Sequence, residues 1–90
     1  MFPKELDGAK VLFFTPRDNY GTIEFSTGGI AAYIHYLAIC KYENDYRFYL
    51  FSCDEEFNVE GDTLLNSVEE CMSVSTSSYG KDIHWIKAST

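Results

Sequence analysis

Two apolar runs of similar length face each other across a short polar turn, and this arrangement constrains the chain more than any other feature. Ile30–Tyr42 is the first run, Glu43-Asn44-Asp45 is the turn, and Tyr46–Cys53 is dense in Tyr, Phe and Leu. The first run reads in two ways. As a helix beginning after Ser26 or Thr27, it lines up Ile30, Tyr33, Ile34, Leu37 and Cys40 on one stripe. As a strand, it puts Tyr33, His35, Leu37 and Ile39 on one face and Ile34, Tyr36, Ala38 and Cys40 on the other. Periodicity alone leaves residues 30–42 open between the two. The aromatic second run and the matched lengths favour a β-hairpin. Apolar side chains on both faces then imply central strands, covered on one face and partly on the other.

The flanking segments fit a sheet. Ala9–Pro16 carries Val11, Phe13, Phe14 and Thr15, with Pro16 ending a strand. Arg17-Asp18-Asn19 is a turn, Tyr20–Phe25 alternates with period two, and Gly28-Gly29 breaks the chain. After Asp54-Glu55-Glu56, Phe57–Thr63 returns as a short strand ending near Gly61. Ser67-Val68-Glu69-Glu70 is a capping box: the Ser hydroxyl accepts an orphan amide and Glu70 reaches back. Val68, Cys71, Met72 and Tyr79 follow at helical spacing, and Gly80 is a suitable stop. Ile83, Trp85 and Lys87 alternate with His84 and Ile86 in a last strand. The expected fold is α+β: an antiparallel β-meander, one packed helix in the C-terminal half and a final strand, in a single domain over residues 1–90.

Composition decides whether so short a chain has a core. Of 90 residues, 46% are hydrophobic and 17% aromatic, enough large side chains to offset the small size. The net charge is −7, and an excess of acids argues against direct nucleic-acid binding and against docking to an anionic membrane. No apolar run approaches the roughly 20 residues of a spanning helix. Met1-Phe2-Pro3-Lys4-Glu5 shows no basic region leading into an apolar stretch. Cys40, Cys53 and Cys71 are odd in number and widely spaced, which suits free, reduced thiols. A cytoplasmic location is the expectation.

The charge is unevenly placed. Residues 48–80 contain no Lys or Arg and seven acids: Asp54, Glu55, Glu56, Glu60, Asp62, Glu69 and Glu70. Such a segment is either a solvated, solubilising face or a surface focused on a basic partner.

Other chemistry finds little footing. Cys53 or Cys40 could be combined with His35 or His84, but no motif fixes such a geometry. Ser26-Thr27-Gly28-Gly29 lacks the Gly-Lys-Ser/Thr end of a phosphate loop. An EF-hand register starting at Asp54 puts Val59 where Gly is required and Leu65 where Glu is required. Zinc-ligand spacing is missing. The chain is therefore expected to be no enzyme and to carry neither metal nor cofactor. The residues expected to bind a partner are Asp54, Glu55, Glu56, Glu60 and Asp62, with Phe57 or Tyr46 as apolar anchor.

Tyr36–Asn44, Phe48–Glu55, Gly61-Asp62-Thr63 and Ser67–Glu70 together form a pattern of hairpin, acidic turn and capped helix over residues 33–75. This pattern resembles small bacterial immunity proteins, encoded beside polymorphic or contact-dependent growth-inhibition toxins. The resemblance implies a non-enzymatic inhibitor that occludes a toxin's active site or holds the toxin inactive from a nearby surface. The favoured reading is a toxin-neutralising immunity protein, monomeric in its complex, whose cognate toxin is a nuclease with a basic surface. The alternatives are a phage-type nucleic-acid mimic that inhibits a nucleic-acid enzyme, a small Cys/His enzyme, and a structural subunit pairing through a sheet edge.

Overall fold

Strand-forming residues dominate the chain up to Leu65, and the backbone follows them. A computed structural model describes residues 1–89. Its strands are β1 (Glu5–Leu6), β2 (Ala9–Phe14), β3 (Gly21–Glu24), β4 (Ile30–Ile34), β5 (Tyr36–Lys41), β6 (Phe48–Cys53), β7 (Val59–Leu65) and β8 (Ile86–Lys87), with one helix, α1 (Val68–Tyr79), between β7 and β8. The fold is α+β, an antiparallel sheet with one helix and a final strand. Residues 30–42 hold two strands, β4 and β5, and no helix.

The main sheet runs β1-β2-β5-β6-β7, with β8 also paired to β2, and β3–β4 form a separate ladder. The two ladders are joined by backbone bonds. Thr15 N–H donates to the Leu37 carbonyl (3.1 Å), Asp18 N–H to that of His35 (3.1 Å), and Tyr20 N–H to that of Ile34 (2.9 Å). β2 and β3 thus form one bent arm, and β4 and β5 the other, of a single long hairpin whose tip lies at residues 25–29. The meander is this hairpin followed by β6 and β7.

The bend is built by particular residues. Pro16 lacks an amide to donate. Thr15 is buried, and its hydroxyl accepts the Leu37 N–H (3.0 Å). His35 interrupts what the sequence suggested was one continuous strand. Its N–H donates to the Cys53 carbonyl (2.9 Å), the last rung before β4 parts from β6.

Each face of the sheet is covered differently. Ile39 and Leu50 lie under α1 and pack with its Cys71, while Val68, Met72, Val74 and Trp85 close the edges. The opposite face carries Val11, Ala38, Cys40, Phe51 and Cys53 and has no helix over it. Aromatic side chains cover it instead. Phe2 stacks on Phe14 with ring centres 4.6 Å apart and meets Tyr36 and Phe57 edge-on. Tyr42, Tyr49 and Phe51 continue the row. A third cluster, Tyr20, Ile34 and Leu37 with Ile23, Tyr79, Ile83 and Trp85, fills the joint of the bent hairpin.

The helix obeys its predicted caps. The Ser67 hydroxyl accepts the Glu70 N–H (3.0 Å), and the Glu70 carboxylate accepts the amide of Asn66 (3.2 Å), one residue before the cap. Gly80 ends the helix with φ +66, and its N–H donates to the Thr76 carbonyl.

Beyond shifts of one or two residues at the ends of β2, β3 and β6, three differences from expectation stand out. Phe57 belongs to the turn before β7, which starts at Val59 and runs on to Leu65. The final strand shrinks to Ile86–Lys87, because Ile83 and Trp85 are drawn into the core beneath the helix. Strand β1 was not anticipated. Its signal was Asp7-Gly8, a two-residue loop with both φ values positive (49 and 82) that pairs Leu6 with Ala9.

Candidate functional site

The acidic turn between β6 and β7 is a built structure. Asp54 Oδ1 accepts the backbone N–H of Glu56 and of Asn58 (both 2.9 Å), and Oδ2 accepts the Asn58 side-chain amide (3.0 Å). Phe57 N–H donates to the Asp54 carbonyl, and Asp54 N–H to that of Asn58. Partial burial pushes the Asp54 carboxyl upward, but the Asn58 side chain and the two backbone donors outweigh it and hold the group below its ordinary value. Phe57 sits in the left-handed region at φ +65, a conformation that costs a bulky residue about 1–2 kcal/mol. Its ring offsets that cost by packing on Tyr36 (4.6 Å between centres) and Phe2 (5.1 Å). Asp54 and Phe57 therefore shape the turn from inside, while Glu55 and Glu56 project from it.

Beside this turn the hairpin arm swings away. Where β4 leaves β6, a shallow hollow of about 170 Å³ opens, lined by Ala31, Ala32, Tyr33, His35, Asp54, Glu55, Glu56 and Glu60. Three of these carboxylates, on Glu55, Glu56 and Glu60, are exposed. Glu55 meets Arg17 at 3.0 Å, an exposed pair worth no more than about 1 kcal/mol. Glu56 and Glu60 enter no ion pair among the described residues. His35 Nδ1 lies 2.9 Å from the Asp18 carbonyl, which fixes the proton on Nδ1 and leaves Nε2 without it when the ring is neutral. Asp18 also receives Lys81 at 3.1 Å, and its carboxyl is lowered first by the Asn19 N–H and then by Lys81.

The expected binding residues divide. Asp54, Glu55, Glu56 and Glu60 come together around the hollow. Asp62 does not: it pairs with Phe51 in the β6–β7 ladder and sits on the aromatic-covered face of the sheet. Phe57 is half-buried in the core and is no free anchor. Tyr46 is 77% exposed but lies beyond the far end of β6, roughly 20 Å from the acidic turn at about 3.3 Å per strand residue. The exposed aromatic beside the acids is Tyr33, 56% exposed on β4, with Ile30 further along the same strand and Phe25 at the hairpin tip. Sequence reasoning placed Tyr33 in a strand but not in the site. The missing signal was the bend at His35, which turns this stretch of strand out of the sheet.

The cysteines lie in the core. All three are buried. Burial pushes the Cys53 thiol up to about 12 and the Cys71 thiol up to about 11, and it raises Cys40 further. A thiol held protonated at neutral pH lacks the thiolate that attacks. Among the described residues no three His, Cys, Asp or Glu side chains converge as a metal site. No helix among them is long and apolar enough to cross a membrane. The chain matches no family model, no curated protein and no solved structure.

Proposed function

We propose that the protein is a binding module that captures a basic protein partner in the acidic hollow between β4 and the β6–β7 turn, and that it acts as the immunity partner of a toxin, most readily a nuclease. The observation that carries this reading is the meeting of exposed Glu55, Glu56 and Glu60 with exposed Tyr33 around one concavity. Carboxylates offer a nuclease's cationic site the negative charge that it otherwise finds in phosphates. Aromatic Tyr33 supplies contact area at low entropic cost. The bonds that Asp54 makes fix the turn in advance, so little ordering remains to be done on binding. Opposite charges steer the encounter, which suits an inhibitor that must reach a toxin before it acts.

The test is co-purification with the product of the adjacent reading frame, followed by titration at several salt concentrations. Reversing two charges, Glu55→Lys with Glu56→Lys, should weaken binding about tenfold or more and flatten its salt dependence. Unchanged affinity and an unchanged salt slope would remove the hollow from consideration.

A further inference from the structure

Strand β7 is an edge. It pairs with β6 on one side only, and among the described residues no backbone bond joins its other side to another element. Asp62, Thr63 and Leu64 are exposed in succession, so neither the helix nor the aromatic row wraps around it at that point. An unpaired edge of this length is a template for another strand.

The charges on this edge select what can add to it. Glu60 and Asp62 are both exposed on β7, and the neighbouring turn brings Glu55 and Glu56. A second copy of this chain would set acid against acid, in a molecule whose net charge is already −7. An extended segment carrying Lys or Arg would instead meet opposite charge at Glu60 and Asp62 and at the neighbouring turn. Leu64, 39% exposed, gives the same segment one apolar contact.

We propose that the outer edge of β7 receives an extended cationic segment of the protein partner by antiparallel or parallel strand addition. This rests on the reading that the partner is basic, and it adds the mode of capture. Backbone bonds to β7 supply affinity, and the acids along it supply selectivity.

The 90-residue chain is titrated with a synthetic peptide, Lys-Val-Lys-Thr-Lys-Val-Lys, and with the same peptide N-methylated at its internal amides, which keeps the charge but removes the donors. Strand addition makes the methylated peptide about tenfold weaker or worse. It also slows hydrogen exchange of those amides in Glu60–Leu64 that point away from β6, and Asp62→Lys abolishes this protection. Equal binding of the two peptides, no binding of either, or absence of protection on β7 overturns the proposal. So does dimerisation of the chain through β7 as its concentration rises. Equal binding that is lost in the Glu55→Lys, Glu56→Lys variant leaves the acidic hollow standing without strand addition. Protection of β7 that is indifferent to that variant leaves strand addition standing without the hollow.

Discussion

The two halves of the long hairpin have the same backbone pairing and opposite fates. In β2 and β5 the ladder lies in the middle of the sheet, and Leu37, Ala38, Ile39 and Cys40 are wholly buried. In β3 and β4, across the bend, only Ile34 is fully buried, with Ile23 beside it, while Ile30, Tyr33 and, at the tip, Phe25 face water. Hydrogen bonding runs continuously through both. What differs is cover: α1 and the aromatic row enclose one half, and nothing encloses the outer face of the other. Stability is thus concentrated in β5, and the exposed apolar surface in β4. The ladder carries the geometry from one to the other.

That division can be broken by mutation. Ile39→Ala should cost about 3 kcal/mol, within the roughly 2–5 kcal/mol usual for emptying a buried aliphatic site; a urea titration with unchanged slope would report it. A loss below about 1 kcal/mol would mean that β5 is not the stability centre. Ser67→Ala tests the cover itself. Removing the hydroxyl that caps α1 should cost about 1 kcal/mol and should loosen the face over Ile39 and Leu50 before the opposite one, as hydrogen exchange would show.

Acid separates the two ends of β6. Asp45 is held at about 2, first by the Arg47 side chain and then by its backbone N–H, and Asp54 at the other end is also lowered. Carboxyls whose folded value lies below the unfolded one, about 3.9, stabilise the fold above that pH and lose their contribution as pH falls through the folded value. Stability should therefore decline from about pH 4 towards about pH 2. Asp45→Asn should remove Asp45's share of the slope and leave Asp54's; an unaltered pH profile in this variant would deny Asp45 any part in it. Smallest of all, Tyr33→Ala should change stability by no more than about 0.5 kcal/mol, because its ring is mostly in water. A larger loss would show that the arm is held by its outer face as well, and would blur the contrast between the halves.

Much of this architecture was legible because it is written locally. The polar turn at Glu43-Asn44-Asp45 between two apolar runs defined β5 and β6, although Tyr46 joins the connection and sets Cys40 opposite Tyr49 rather than Phe48. Ser67, Glu70 and Gly80 marked both ends of the helix. The segment free of Lys and Arg identified the carboxylates, and four of them meet at one hollow. The aromatic neighbour of these acids was not legible. Phe57 and Tyr46 stand near those acids in sequence, but one ring turns inward onto Phe2 and Tyr36 and the other lies past the opposite end of a strand.

Local chemistry by itself determined most of the extended segments, where the helix begins and stops, and where negative charge accumulates, since each depends on residues within a few positions of one another. Only the tertiary structure decided that the hairpin bends at Thr15 and His35, that Tyr33 comes to stand beside Glu56 and Glu60, and that β7 is left with an open edge. Those outcomes depend on which face finds a cover, and that is a competition among segments far apart in the chain.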